Sequence, residues 1–304
     1  MIHIITGQTA TGKTSYAMEL AQKLDGELIN ADSRQIYKRL DIITGKDLDI
    51  TEGKFNTYQS SNGFDIGYYR LTNGSRIWLY DILSPEKSFS AFEYVHLAAR
   101  VIKDIESRGK IPIFVGGTFF YIQQLLYGTS EFQVVPDQKL RAELSGNSVP
   151  ELQEILKNKN PELFQSLNNS EKNNPQRLIR RIEIETHISD TTVSRQSQLW
   201  HENDFSLVGF AFANKEDLRI RIKNRVENRL SKGAVDEVNE LLNDGITSQD
   251  PAMKTIGYAQ ILEYLRGETD FETMKDSWIT KEIQYAKRQL TLMKKNQHIR
   301  WETV

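Results

Sequence analysis

The chain has 304 residues, 38% of them hydrophobic, which suffices to bury the core of one large domain or of one domain with an added segment. It contains no cysteine, which excludes disulfides and cysteine-ligated zinc, and its formal net charge of -2 excludes a globally basic binder of nucleic acid. No stretch approaches the roughly 20 apolar residues that cross a bilayer, so we expect a cytoplasmic protein without a membrane anchor.

The first predicted element is an apolar strand over residues 2–6 that runs directly into a glycine-rich loop. The loop matches the pattern G-x-x-x-x-G-K-[ST], and its residues are Gly7, Gln8, Thr9, Ala10, Thr11, Gly12, Lys13 and Thr14. In such a loop the backbone N–H groups point at an anion, the lysine adds a charge, and the final hydroxyl can bind Mg²⁺. Apolar residues recur with helical spacing from Ala17 to Leu24, so a helix dipole also favours the anion. The segment predicts a phosphate or diphosphate site, with Thr14 as the metal ligand.

Further along, strands and helices alternate up to about residue 125, which favours a parallel sheet with helices on its faces. After the first strand we predict strands over 27–31, 64–71, 76–82 and 111–115 and a helix over 92–108. Asn73-Gly74 is a strong hairpin signal, so the two strands around it are an excursion from the alternating pattern.

Polar residues follow two of these strands. Asp32 can act as a general base, or it can cap the helical-looking segment that begins at Ile36. Gly116 and Gly117, which precede Thr118, either allow close approach of a ligand or only form a turn. Ligands of open α/β sheets bind at the carboxyl ends of the strands, which places Lys13, Asp32 and Thr118 around one crevice.

Residues 136–204 differ from the preceding part, because they consist of polar helical segments interrupted by prolines. The pattern then returns to that of the core, with a strand over 207–212 and helices over 216–232, 234–243, 258–265 and 271–296. We therefore predict an α/β fold with a P-loop NTPase-like parallel sheet and flanking helices. Residues 1–135 and 205–304 form this core, and residues 136–204 form a helical insertion domain.

Two predicted helices carry clustered arginines, namely Arg177, Arg180 and Arg181 in one and Arg221, Arg225 and Arg229 in the other. Each cluster is either a face that binds nucleic acid or phosphate, or a solvated face whose ion-pair partners are nearby glutamates such as Glu183.

Taken in order, eight segments carry a resemblance to a known family. They are GQTATGKT, ADSRQIY, VGGT, PQRLIRRIEI, RIKNRV, GAVDEV, TIGY and YAKRQLT. Their series resembles that of the tRNA dimethylallyltransferases, also called tRNA isopentenyltransferases, along nearly the whole chain. The sequence departs from the usual family pattern at Gln8, at 44–48, at Asn214-Lys215 and at Leu292, and in a longer hairpin region at about 55–80.

The resemblance implies transfer of a dimethylallyl group from dimethylallyl diphosphate to the exocyclic amino nitrogen of the adenosine 3′ of the tRNA anticodon. The P-loop then holds diphosphate, and Lys13, Thr14 with Mg²⁺, and Arg225 neutralise the leaving group. Asp32 occupies the family's base position, and Thr118 occupies the second site for the amine. The base must turn out of the anticodon loop to reach the crevice.

By resemblance, the tRNA contacts are Asp32, Ser33, Arg34, Gln35, Thr118, Arg141, Gln176, Arg177 and Arg180. A monomer that binds the anticodon stem-loop is expected. The competing interpretation is a P-loop kinase that uses ATP, since Ile77 to Asp81 resembles a metal-binding Walker B strand. Two others are a nucleotide-switched RNA-binding protein without transfer chemistry and a prenyltransferase that acts on free adenylate.

Overall fold

The computed structural model describes residues 1–46, 54–61, 64–128, 134–187 and 204–304. The strands in these ranges are β1 (Ile2–Gly7), β2 (Gly26–Asn30), β3 (Asn56–Ser61), β4 (Phe64–Arg70), β5 (Arg76–Trp78), β6 (Ile111–Val115), β7 (Phe205–Ala211) and β8 (Arg300–Thr303). The first helices are α1 (Lys13–Leu24), α2 (Ala91–Ser107), α3 (Phe119–Tyr127), α4 (Gln138–Leu144), α5 (Val149–Lys159) and α6 (Pro161–Ser166). The remaining helices are α7 (Asn169–Lys172), α8 (Pro175–His187), α9 (Lys215–Ser231), α10 (Ala234–Asn243), α11 (Tyr258–Leu265) and α12 (Phe271–Met293).

All eight strands join one sheet in the order β3-β4-β5-β2-β6-β1-β7-β8. The pairs from β5 to β8 are parallel, whereas β3 and β4 run antiparallel to their neighbours. The α/β class with a P-loop-like sheet is confirmed. At one edge of this otherwise parallel sheet, β3 and β4 add two antiparallel strands.

The predicted hairpin is confirmed, since β4 and β5 pair around a turn with Gly74 at φ 81°. Its second strand is shorter than predicted, and it also pairs in parallel with β2. The hairpin therefore interrupts the alternation of strands and helices, as predicted, and it is also part of the main sheet. Two strands were not predicted, β3 and the short, mostly polar β8, which forms by pairing with β7.

The core of the sheet forms where apolar strand residues meet α1. Ile5 and Leu28 are fully buried and pack with Ala17 and Ala21 of that helix. Small residues on α1 let the helix approach the sheet closely. This packing fixes the loop between β1 and α1 against the carboxyl edge of the sheet.

The chain divides into two compact units, one built from residues 1–123 and 200–304 and the other from residues 124–199. We refer to them as the core unit and the insertion unit. The insertion unit begins earlier than the predicted boundary at 136, because the division falls within α3. Its apolar centre includes Leu144, Leu152, Leu156, Leu178 and Ile182. No helix in the described ranges has the length and apolar character needed to cross a membrane.

Candidate active site

A cavity of about 270 Å³ lies at the carboxyl ends of β1, β2 and β6. It contains the predicted P-loop residues from Thr9 to Thr14, together with Asp32, Gly117 and Arg225. The structure thus brings together residues from three loops and from α9, more than 200 positions apart in sequence. Thr118 lies next to the cavity wall.

The P-loop leaves several donors available to an anion. Gly7 ends β1, and Gly12 adopts φ 79° just before α1. The backbone N–H groups of Ala10, Thr11 and Gly12 donate to no other group in the described part of the chain. Thr11 is buried and Ala10 is half-buried. Since buried N–H groups are normally paired, these two unpaired donors suit a bound phosphate.

Lys13 rests against the loop, where its Nζ donates to the carbonyl oxygen of Gln8 at 2.5 Å. Burial lowers the pKa of Lys13 to about 7, the charge of Arg225 adds to the shift, and Asp32 opposes it. A bound anion would reverse the balance by favouring the ammonium form. The side chain is therefore positioned to gain a proton together with an anionic ligand.

Arg225 reaches the same cavity from α9, and its Nη1 donates to the Thr9 hydroxyl at 3.1 Å. The structure therefore places the amine of Lys13 and the guanidinium of Arg225 within one cavity. Like charges at close range raise each other's free energy, and an anion between them removes that cost.

Asp32 is half-buried at the end of β2, and the segment after it is a turn, not the helix that its sequence suggested. One carboxylate oxygen, Oδ1, accepts the backbone N–H of Arg34 at 2.9 Å. The other oxygen has no hydrogen bond among the described residues, and Asp32 lines the cavity. The capping and base interpretations are thus compatible, because each uses a different oxygen.

A buried asparagine that sequence reasoning missed holds Asp32 in place. Asn30 accepts the Asp32 N–H at 2.9 Å through Oδ1, and its Nδ2 donates to the carbonyl oxygens of Leu79 and Asp32. This side chain is completely buried, so the geometry of the turn is well determined.

A side chain at either glycine after β6 would lie too close to other atoms of the protein. A Cβ on Gly116 would lie 2.2 Å from the carbonyl carbon of Ala31, and one on Gly117 would lie 2.2 Å from Nε2 of Gln289. The groups that approach these glycines in the structure are protein atoms, and their contact with a ligand stays a prediction. The Thr118 hydroxyl accepts the Ser33 N–H at 2.9 Å and lies 3.1 Å from the Ser33 hydroxyl, so it joins the β6 loop to the Asp32 turn.

Helix α12 supplies site residues that the sequence analysis did not identify. Gln289 accepts the Thr9 N–H at 3.1 Å and donates to the Gly117 carbonyl at 2.9 Å, which ties the P-loop to the β6 loop. Glu282 pairs with Arg34 at 3.1 Å, and Tyr285 packs against the Arg34 guanidinium at 4.0 Å. Tyr285 and Gln289 belong to the YAKRQLT segment and Glu282 lies three residues before it, and this helical spacing could have indicated the face.

Arg34, a predicted tRNA contact, is therefore already engaged by α12. Burial by itself raises the pKa of Glu282, but Arg34 and Arg229 outweigh it and hold that pKa below its ordinary value. Gln35 lines the cavity and donates to the carbonyl oxygen of Gly45 at 3.0 Å. Of the four predicted contacts in the Asp32 turn, Asp32 and Gln35 face the cavity, whereas Arg34 supports the turn.

In the insertion unit, two of the predicted tRNA contacts surround one buried carboxylate. The Glu183 side chain is 0% exposed and accepts Arg141 Nε and Nη2 at 2.8 and 2.9 Å. It also accepts Arg180 Nη1 and the backbone N–H of Asp137. Burial raises the pKa of Glu183, but the hydrogen bonds from both arginines outweigh this effect and lower it.

The other two predicted contacts of this unit are exposed. Gln176 and Arg177 lie in the first turn of α8, and Arg177 Nη1 makes a 3.3 Å hydrogen bond to the Ser170 hydroxyl. The predicted arginine face is thus divided. Arg177 is accessible to a ligand, whereas Arg180 and Arg141 hold the fold of the unit.

The residue that supported the kinase interpretation is occupied by protein partners. Asp81 pairs with Lys46 and accepts the Tyr69 hydroxyl at 2.6 Å. An aspartate neutralised in this way is not available as the metal ligand of a Walker B strand.

Comparisons with known proteins agree with this arrangement. The sequence model of the family described as IPP transferase matches residues 62–296, and that described as isopentenyl transferase matches residues 1–56. A tRNA dimethylallyltransferase from Acetivibrio thermocellus is 34% identical over 98% of this chain and 90% of its own length.

Two solved structures have a similar fold. The full-length tRNA isopentenylpyrophosphate transferase from Bacillus halodurans has a TM-score of 0.66 at 27% identity, covering 99% of this chain and 89% of its own. The tRNA delta(2)-isopentenylpyrophosphate transferase from Staphylococcus epidermidis has a TM-score of 0.65 at 30% identity, covering 99% and 92%. With the P-loop, the Asp32 turn and the arginine of α9 assembled in one cavity, the chain belongs to the tRNA dimethylallyltransferase family.

Proposed function

We propose that this chain, a prenyl-transferring transferase by its family, carries out its reaction in the cavity formed by the P-loop and Asp32. The reaction moves a dimethylallyl group from dimethylallyl diphosphate to the exocyclic amino nitrogen of the adenosine 3′ of the tRNA anticodon. The observation that carries the proposal is a carboxylate facing the same cavity as two cations and a phosphate-binding loop.

In the reaction, the bond between the allylic carbon and the diphosphate oxygen breaks, and its electron pair leaves with the diphosphate. Lys13, Arg225 and the unpaired N–H groups of the P-loop lie where that negative charge develops. Donors that are already in position lower the barrier, because they need no rearrangement as the charge forms.

The new bond forms between the allylic carbon and the adenine amine. The lone pair of this amine is delocalised into the ring, so removal of a proton as the bond forms assists the attack. The Asp32 oxygen without a hydrogen bond accepts that proton, while Oδ1 remains bonded to the Arg34 N–H. General base catalysis of this kind contributes about 10² to 10⁴ in rate.

Thr118 acts on the same step through the Asp32 turn. Its hydrogen bonds with Ser33 set the position of the residue next to the base. Gln35, which lines the cavity, contacts the adenosine nucleotide. In the insertion unit, Arg177 and Gln176 are exposed and meet the tRNA backbone, whereas Arg141 and Arg180 contribute to tRNA binding mainly by holding the unit that presents them.

The donor set of the cavity fits Mg²⁺. Thr14 lines the cavity, and its hydroxyl makes no hydrogen bond with any described residue. The described part of the chain has no cluster of three or more acidic or histidine side chains that could hold a metal ion by itself. Mg²⁺ commonly binds through one or two protein oxygens together with substrate phosphates and water, and it would supply charge neutralisation of the diphosphate. We also propose that the chain acts as a cytoplasmic monomer.

The test is mass analysis of nucleosides from unmodified tRNA after incubation with the protein, dimethylallyl diphosphate and Mg²⁺. We expect a gain of one dimethylallyl group on one adenosine and release of diphosphate, and Lys13→Ala should reduce the yield sharply. A matched reaction with ATP and no prenyl donor should leave the tRNA unchanged. Unmodified adenosine together with ATP turnover dependent on a small acceptor would replace this proposal with the kinase.

A further inference from the structure

A second groove of the core unit lies between α9 and α12 and shares no lining residue with the catalytic cavity. Its volume is about 300 Å³, and its lining residues are Lys215, Arg219, Thr280, Ile283, Gln284 and Lys287. Three of these side chains are cationic and none is anionic. The groove is therefore a local positive site on a chain whose net charge is -2.

The three cations of the groove are exposed and make no ion pair with any residue in the described ranges. Nearby Lys223 provides a contrast, since its Nζ lies 4.0 Å from Glu227. Clustered basic residues on helices normally have such partners on the same face. The groove lacks them on both of its helices.

The placement of these charges destabilises α9. Lys215 and Arg219 are four residues apart, so they lie on one face and repel each other. Lys215 is also in the first turn of α9, where the helix dipole disfavours a cation. Glu216 and Asp217 of the same turn offset part of the dipole cost, but neither lines the groove, so an external anion can still complete the site.

Both helices of the groove also contribute to the catalytic cavity. Arg225 of α9 and Gln289 of α12 line that cavity. Along the axis of α9, Arg219 and Arg225 are separated by about 9 Å, given a rise of about 1.5 Å per residue. A polyanion that enters the cavity with one nucleotide can therefore continue along the outer side of the same helix pair.

We propose that the α9–α12 groove binds the phosphodiester backbone of the RNA substrate, next to the nucleotide held in the cavity. The identity of that substrate rests on the proposed function. Lys215, Arg219 and Lys287 supply the charge, and the Thr280 hydroxyl and Gln284 amide supply neutral donors to phosphate oxygens. Such cations would add to the positive charge available to RNA, because Arg141 and Arg180 of the insertion unit already pair with Glu183.

The test is a titration of fluorescent unmodified tRNA at several salt concentrations, without dimethylallyl diphosphate, using full-length variants. The variants are Lys215→Glu with Arg219→Glu, the single change Lys287→Glu on the other helix, and a control. The matched control is Arg100→Glu with Lys103→Glu, since both residues are exposed on α2 and have no ion pair in the described structure. Each variant also receives a melting curve.

We expect the groove double variant to bind tRNA at least about tenfold more weakly than the control does. The slope of log affinity against log salt concentration should become shallower by about 1.4 to 1.8, because each lost phosphate contact reduces its magnitude by about 0.7 to 0.9. Lys287→Glu should show about half of the change in slope. Lys215→Glu, made also as a single variant, should not lower the melting temperature, because it places a favourable charge at the start of α9.

Affinity and slope equal to those of the control would overturn the proposal. Calorimetric titration of the same proteins with inorganic diphosphate gives a second outcome. Loss of a second diphosphate site in the groove variants, with tRNA binding unchanged, would also overturn the proposal, because the groove would then be a small-anion site. Failure of the wild-type protein to prenylate tRNA would overturn the proposed function alone. If the groove variants then still lost tRNA affinity, the groove would stand as an RNA-binding site.

Discussion

Asp32 in the core unit and Glu183 in the insertion unit are both carboxylates beside arginines, yet their surroundings differ. Glu183 is fully buried, and both of its oxygens accept hydrogen bonds from Arg141, Arg180 or the Asp137 N–H. Asp32 is half-buried, and only Oδ1 is engaged by a described residue, through the Arg34 N–H.

The comparison separates two uses of the same functional group. A carboxylate whose two oxygens both accept hydrogen bonds from the protein stabilises local structure. It is unavailable to a ligand, since a competing donor would have to displace strong charge-assisted bonds. A carboxylate with one open oxygen beside a cavity keeps its capacity to accept a proton. Substitution of Asp32 should therefore lower the rate of transfer, whereas substitution of Glu183 should lower the free energy of unfolding.

The largest effect is expected at Asp32. Asp32→Asn retains an oxygen that can accept the Arg34 N–H, so we expect the free energy of unfolding to change by less than about 0.5 kcal/mol. Single-turnover transfer to tRNA should fall by about 10² or more, because the amide cannot accept the proton of the adenine amine. A normal rate in the folded variant would limit Asp32 to the capping role.

The reverse pattern is expected at Glu183. Glu183→Gln weakens the bonds to both arginines inside the insertion unit, and we expect a loss of roughly 3 kcal/mol in unfolding free energy. This value is at the low end for a broken buried pair, since Arg141 and Arg180 are 32% and 26% exposed and can be hydrated. Urea unfolding measures the loss. When every folded molecule has tRNA bound, the transfer rate should remain near that of the wild type. A hundredfold decrease would contradict the assignment of a structural role to Glu183.

The binding of diphosphate beside Lys13 can be tested by measuring how many protons the protein takes up on binding. Burial lowers the pKa of Lys13 to about 7, and a bound diphosphate favours the ammonium form, which raises the pKa in the complex. At about pH 8, binding should therefore take up nearly one proton, and at about pH 6 almost none. Affinity should weaken by up to about tenfold per pH unit above 7, until the pKa of the complex is reached.

Calorimetry of diphosphate binding in buffers with different ionisation enthalpies measures this uptake. Lys13→Ala is the control, because it retains the proton equilibria of the diphosphate itself. Equal proton uptake by the variant and the wild type would exclude Lys13 as the titrating group.

The smallest effect is expected at the exposed end of the arginine cluster. Arg177→Ala should weaken tRNA binding by a few-fold and flatten the salt dependence by about 0.7 to 0.9 unit, as for one phosphate contact. The matched control is Arg181→Ala, since Arg181 is already paired with Glu171 at 3.7 Å. Larger losses for Arg181 than for Arg177 would show that exposure does not identify the RNA-binding face.

Local patterns were sufficient to predict the P-loop, the hairpin at Asn73-Gly74 and the placement of Asp32 at a strand end. Each depends on neighbouring residues, whose spacing is visible in the sequence. The role of Gln289 could not be predicted in this way, because its partner Thr9 is 280 positions away. The ion pairing of Arg141 also escaped prediction, since spacing alone does not show that Glu183 is buried. Strand β8 formed for a related reason, because pairing with β7 outweighs its weak local signal.

The position of Gln289 on the last long helix has a consequence for how the protein is made. During synthesis, the P-loop and the Asp32 turn leave the ribosome long before the residue that joins the P-loop to the β6 loop. A nascent chain can therefore form much of its sheet and still lack the bridge that holds two walls of its cavity in register. Catalytic competence arises at the end of folding, so chains interrupted before α12 is complete should not modify RNA even when their nucleotide-binding motif is intact.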